Sequence, residues 1–190
     1  MEERGSRAHR RPPTDEGTLE QFIAATRRAA GDPTVVPVCV AEMSAVLGGA
    51  AVLLTLRPPR SHDPGAVVAA GVAENFVRSY AETYYLHDPW LQRLAGHAPG
   101  VGFGYELVPR WDLLRTIFYR EWMAPQDLLP DLSMVGLVLD RDNQPFSMFT
   151  AFRRRGARLF TLEDLILLRR VFPDLQQAVR STRAPSSGPY

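Results

Sequence analysis

Lysine is absent from the sequence. All 22 basic residues are arginine, which excludes Schiff-base and pyridoxal-type lysine chemistry and a Walker A phosphate loop. Arginine holds its proton to pH values above ~12, so it is a poor proton shuttle. Cysteine is nearly absent as well. Cys39 stands alone, which excludes an intrachain disulfide and a cysteine-cluster metal site; inside the run VVPVCV it reads as a small core residue. No apolar stretch approaches the ~20 residues that span a bilayer, and the first residues lack a signal-type apolar region. The expectation is a soluble, cytoplasmic protein with no membrane partner. A charge excess is missing too: the formal net charge is +1 over 190 residues.

What is present is enough for one core. A chain of this length buries roughly 70% of its unfolded surface without staples. Residues 1–16 (MEERGSRAHRRPPTDE) balance four arginines against four acids, contain Pro12-Pro13 and have no apolar period, so they read as a disordered arm. Residues 17–183 carry the domain, and 184–190 form a flexible tail. Thr18-Leu-Glu-Gln21 reads as a capping box opening a helix that Gly31 stops. A second helix follows Asp32-Pro33 and ends at Gly48-Gly49. Ala50–Arg57 and Val67–Ala70 read as a hairpin-like strand pair. Glu74–Leu86 reads as a helix. Asp88 is placed as an N-cap and Pro89 as the first residue of the next one. Val101–Leu107 alternates as a strand, Arg110–Trp122 is helical in two short pieces, and Ser133–Leu139 and Phe146–Arg153 are strands around a polar turn. Thr161-Leu-Glu-Asp164 opens a final helix that Pro173 should kink. Strand pairs separated by helices predict an α+β fold with an antiparallel sheet, rather than a doubly wound parallel one.

The aromatic residues are unevenly spread. Eleven of the eighteen lie between Phe76 and Trp122, including all three tryptophans. Phe76, Tyr80 and Tyr84 follow at helical spacing as one stripe, and Trp111, Phe118 and Trp122 as a second. Rings fill gaps between a sheet and its helices, but such cores favour Leu, Ile and Val. Tyr and Trp bring O–H and N–H groups that need partners when buried, so their clustering also suits a ligand cavity. Phe76, Tyr80, Tyr84, Asp88, Trp90, Trp111, Phe118 and Trp122 are therefore the candidate ligand-binding residues. Asp88 has two compatible readings, as a helix cap and as an acceptor for a ligand amide or amine.

Catalytic signals are weak. His9, His62, His87 and His97 have no metal-ligand spacing, and no Gly-x-Ser-x-Gly elbow occurs. Gly100-Val-Gly-Phe-Gly104 lies within a strand-like segment rather than at a strand-to-helix turn, which argues against a phosphate cradle. No catalytic residue, metal ligand or cofactor is assigned. Arg153, Arg154, Arg155 and Arg158 form the densest positive patch, read as a solvated loop or as a contact for an anionic partner. The last helix carries a seam, Leu165, Leu168, Phe172, Leu175 and Val179, at coiled-coil spacing. It reads as partly docked on the sheet and partly a dimer surface.

Several segments, taken in order, resemble one family: Tyr80-Ala-Glu-Thr-Tyr-Tyr-Leu-His-Asp-Pro-Trp90, Leu107-Val-Pro-Arg110, Phe118-Tyr-Arg-Glu-Trp-Met-Ala-Pro-Gln126, Phe160-Thr-Leu-Glu-Asp164 and Leu168-Arg-Arg-Val-Phe-Pro-Asp-Leu175. They are similar to the N-terminal autoinducer-binding-like sensor domain of LuxR-type bacterial transcription regulators, over roughly residues 18–183. The resemblance implies a GAF/PAS-like sandwich: about five antiparallel strands, helices on both faces and a ligand cavity on one side. It also implies that Tyr80 and Asp88 line the pocket and hold a ligand amide. Phe76 stands where the family would have a Trp, and Pro173-Asp174-Leu175 stands where it would have Pro-His-Leu. No helix-turn-helix is recognised in the 190 residues, so no direct DNA contact by this chain is expected. The function implied is sensing of a largely apolar or amphipathic small molecule, transmitted through a homodimer interface of terminal helices. Two other readings stand beside it: a partner that heterodimerises with a DNA-binding regulator, and a small enzyme built on the same cavity.

Overall fold

The computed structural model describes residues 16–56, 66–94, 99–129, 134–138 and 147–183. The arm, except for Glu16, the polar turn at 140–145 and the tail at 184–190 lie outside them. Five strands form one sheet: β1 (Ala51–Leu56), β2 (Ala66–Ala70), β3 (Gly100–Phe103), β4 (Met134–Val138) and β5 (Met148–Phe152). Their order is β2-β1-β5-β4-β3, and every neighbouring pair is antiparallel.

Alternation along the strands assigns each residue a face. Val52 and Leu54 of β1, with Phe149 and Ala151 of β5, face a largely aliphatic layer. It is built from α1 (Glu16–Gly31), α2 (Val36–Val46) and α7 (Leu162–Arg183). Ala51 and Leu53, with Met148 and Phe152, face the opposite, aromatic layer. Its helices are α3 (Glu74–Glu82), α4 (Pro89–Leu94), α5 (Gly104–Leu107), α6 (Arg110–Leu114) and a π-helical segment at Phe118–Met123. Helices thus cover both faces of the sheet.

Five expectations need correction. First, α1 begins at Glu16, so Thr18 lies inside the first turn instead of capping it. Second, α3 stops at Glu82, and Tyr84–His87 winds as a 3-10 turn. Thr83, with a φ of −136°, leaves the helical range between Tyr80 and Tyr84, so the stripe from Phe76 to Tyr84 is not one continuous helix face. Third, β3 ends at Phe103, and Gly104–Leu107 turns helical. The Gly104 carbonyl accepts both the Val108 N–H at 2.9 Å and the Trp90 indole N–H at 2.8 Å, a pull absent from the alternation of the sequence. Fourth, α7 runs through Pro173 without breaking.

The fifth correction concerns the seam. Leu165, Leu168, Leu175 and Val179 are all at most 4% exposed within the single chain and belong to the aliphatic core; Phe172 packs against it, half-buried. α7 lies along α1, which fills the groove that a second copy would have filled. These residues are core, not a dimer surface.

Candidate functional site

The aromatic layer contains a buried carboxylate. Asp88 is 1% exposed and sits at the start of α4. Its Oδ1 accepts the backbone N–H groups of Trp90 at 2.9 Å and Leu91 at 3.3 Å, which caps the helix. Its Oδ2 accepts the Tyr80 hydroxyl at 2.9 Å. One side chain therefore joins the end of α3 to the beginning of α4. The Asp-Pro pair explains the local fold: Pro89 starts the helix with no N–H to satisfy, and Asp88 serves the next two.

Rings surround this pair. Tyr80 lies 5.3 Å from Trp122 and 6.2 Å from Phe118, centre to centre. Phe118 and Trp122 stack at 5.0 Å. Trp90 meets Phe118 edge-on at 6.1 Å and Phe152 at 5.9 Å, and Phe152 also reaches Trp122 at 6.0 Å. These separations fall in the favourable range for aromatic pairs. Both buried indoles find acceptors: Trp90 Nε1 donates to the Gly104 carbonyl at 2.8 Å, and Trp122 Nε1 to the Phe76 carbonyl at 2.9 Å.

The structure brings together Tyr80, Asp88, Trp90, Phe118 and Trp122, while Phe76 packs against the cluster from its edge. Tyr84 stands further out, half-buried, and donates to Glu121 at 3.1 Å. Partial desolvation, then Glu121, raises its pKa. Trp111 does not join. It is 71% exposed, with the Arg110 guanidinium 5.9 Å from its ring. The spacing from Trp111 to Phe118 assumes one helix, but α6 ends at Leu114 and buries Leu113 instead.

Two participants were missed. Phe152 supplies the ring on the sheet side, and strand alternation from Met148 could have found it. Gln126 is 9% exposed; its Nε2 donates to the Trp122 carbonyl at 2.8 Å, while its Oε1 has no partner. No pattern in the sequence marks it. Cys39 is 1% exposed, and burial, reinforced by Glu42, pushes its thiol up to about 12, so it is no nucleophile near neutral pH. Among the described residues, no group of three or more His, Cys, Asp or Glu could hold a metal ion, and no helix is long and apolar enough to cross a membrane.

An antiparallel sheet between an aliphatic and an aromatic helical layer, with a tyrosine-bound carboxylate capping a helix in the second, defines the class of this domain. No family model matches the chain, and no curated sequence does. Among solved structures, the crystal structure of the VqsR LBD domain from Pseudomonas aeruginosa is similar. The TM-score is 0.53 over 86% of this chain and 95% of that one, at 14% identity. VqsR is a LuxR-type regulator, and the domain is its ligand-binding domain. At that identity the likeness is one of fold.

Proposed function

We propose that this chain is a small-molecule-sensing regulatory domain of the LuxR type, with the aromatic layer as its sensing element. The observation that carries the reading is the Tyr80–Asp88 pair, a carboxylate at 1% exposure among five rings. A buried carboxylate held by one hydroxyl and two backbone N–H groups is a strong acceptor for a ligand N–H. A largely apolar ligand with one such donor would compete with the Tyr80 hydroxyl for Oδ2. Because the same carboxylate caps α4, that exchange would move the helix carrying Trp90, and with it the Trp90–Phe152 contact on β5. Phe152 connects the site to β5, whose alternate residues Phe149 and Ala151 face the layer that holds α7. Association with a second copy, or with a DNA-binding regulator, would use the outer face of α1 and α7, where Arg27, Arg28, Arg169 and Arg170 are exposed.

One observation favours a second reading. The Tyr80 hydroxyl and both buried indoles already have acceptors within the chain. A layer whose hydroxyl and indoles are already partnered suits an interaction partner whose ligand response is lost. The deciding experiment exposes the purified full chain to small-molecule extracts and follows the melting temperature, with mass spectrometry of whatever stays bound. The sensing reading expects saturable stabilisation, about 2.7 kcal/mol at 100 times the dissociation constant, weakened in Asp88→Asn. No stabilisation by any extract, together with a stable complex with a LuxR-type regulator, supports the partner reading instead.

A further inference from the structure

The four arginines at 153–158 divide: Arg155 is exposed as a solvated loop would have it, Arg154 and Arg158 are half-buried, and Arg153 is buried. Arg155 Nε lies 3.0 Å from Asp127 Oδ1. Arg158 grips Asp164 through two bonds of 2.7 Å each. Arg154 donates to the Gly71 carbonyl. Arg153 has no carboxylate within hydrogen-bond reach, yet it is 1% exposed. Its Nη1 donates to the carbonyls of Leu47 and Gly48, just past the end of α2, and the Phe160 ring centre lies 4.0 Å from its guanidinium carbon.

The other edge of this guanidinium is empty-handed. Nε and Nη2 are buried and have no hydrogen-bond partner among the described residues. These two N–H groups point the same way in one plane, the fork that grips two oxygens of a carboxylate or phosphate. A buried cation with three of its five donors unmet is costly. Burial, with the charge of Arg158, lowers its pKa to about 10, so it remains a cation at neutral pH. Asp164 is engaged elsewhere and makes no bond to it. Its Oδ1 is held by Arg158, and its Oδ2 by Arg158 and by the N–H and hydroxyl of Thr161. Beside Nη1 runs the exposed turn Gly48-Gly49, both residues at positive φ. A Cβ at Gly48 would lie 3.3 Å from Nη1, so glycine keeps side-chain bulk off the guanidinium.

We propose that Arg153 is an oxyanion-binding residue whose free Nε–Nη2 edge takes the carboxylate or phosphate group of a small molecule. The site lies on the aliphatic side of the sheet, opposite the Tyr80–Asp88 pair, and is independent of the sensing reading. Arg153 directly follows Phe152, the last residue of β5, and packs against Leu47 and Phe160 of the opposite layer, so an anion here acts on the end of β5 from the other side.

The test melts the full chain in sodium acetate, sodium phosphate and sodium chloride at matched ionic strength, as wild type, Arg153→Lys and Arg153→Met. Wild type should gain a saturable rise over chloride, about 3–6 °C at ten times the dissociation constant. Acetate alone active identifies a carboxylate site, and phosphate alone a phosphate site. Arg153→Lys should lose most of the rise, since a single ammonium makes no fork. Arg153→Met should stay folded and show none. The Arg153 Nε–H resonance of the wild type should shift along the same titration, a readout that needs no variant. Equal melting in all three salts with an unmoved resonance overturns the proposal, as does a rise that persists in Arg153→Met.

Discussion

The two faces of the sheet are packed by different chemistry. The aliphatic face, under α1, α2 and α7, is filled with Val, Leu and Ala, with Phe22, Phe149 and Phe160 among them. The aromatic face, under α3 to α6 and the π-helical segment, holds Tyr80, Trp90, Phe118, Trp122 and Phe152 around a buried carboxylate. Aliphatic packing depends on shape alone and is stabilised in proportion to area. Aromatic packing with hydroxyl, indole and carboxylate groups fixes orientation as well, because each polar atom demands one partner. The first face supplies stability. The second supplies a geometry in which a new donor has a defined place to act.

The comparison breaks most easily at its stable half. Leu168 is fully buried on the inner side of α7. Leu168→Ala should cost about 2–5 kcal/mol, measured by denaturant unfolding. Leu168→Glu with Leu175→Glu should abolish folding, as two charges enter an apolar layer. A soluble, folded monomer of the double variant would return the seam to the role of an interface and erase the distinction between the faces.

The second break is at Asp88. Asp88→Ala removes the α4 cap and leaves the Tyr80 hydroxyl without its acceptor, at a cost of about 1–3 kcal/mol. Asp88→Asn keeps a good cap and a polar neighbour for Tyr80, so it should cost clearly less. Equal losses in the two variants would mean that the carboxylate acts by charge and not by capping.

Much of this arrangement was legible in the residues. Asp88-Pro89 announced its own cap, because the chemistry of an N-cap is local. The strands around Ala51–Leu56 and Met148–Phe152 were legible from composition and bounds, and the mixed α+β class followed from the order of elements. What failed was whatever depended on a distant partner. Gly104 leaves the strand because an indole from α4 reaches its carbonyl. Trp111 satisfies a periodicity that the end of α6 interrupts. The seam on α7 has coiled-coil spacing, which does not reveal whether the facing groove comes from α1 or from another chain. Arg153 looked like one of four surface arginines, and its burial comes from partners elsewhere in the chain, the carbonyls of Leu47 and Gly48 and the Phe160 ring.

A smaller effect sharpens the account of the aliphatic face, whose polar lock lies at the entry to α7. Asp164 is 1% exposed. Burial alone pushes its carboxyl up, but the bonds from Arg158 and the Thr161 N–H outweigh burial and hold it below the ordinary value of 3.8. A carboxyl with a depressed folded pKa adds stability above its unfolded pKa and loses it as pH falls through the folded one. Below about pH 4 the unfolded chain binds the extra proton, and stability should decline there. Asp164→Asn should be less stable than wild type at neutral pH and should flatten that part of the acid profile. A profile of unchanged slope in Asp164→Asn would place the acid sensitivity elsewhere.

The smallest effect belongs to Trp111, and it sharpens the border of the aromatic face. With 71% of its surface exposed, Trp111 has little burial to lose. Its contact with Arg110 across 5.9 Å is a solvent-exposed cation–π pair worth about 0.5–1 kcal/mol at most. Trp111→Ala should therefore change stability by about 0.5 kcal/mol or less, whereas truncating the fully buried Trp122 should cost about 3–5 kcal/mol. Fluorescence separates the same residues without relying on stability. Trp90 and Trp122 are at most 1% exposed, so they should emit to the blue and resist a water-soluble quencher such as acrylamide. Trp111 should supply the red, quenchable component, and Trp111→Phe should remove it. If quenching of the native chain is unchanged in Trp111→Phe, one of the other two indoles is open to water. The aromatic face would then be a wet cavity rather than a packed layer, and a ligand could enter without displacing the Tyr80–Asp88 bond.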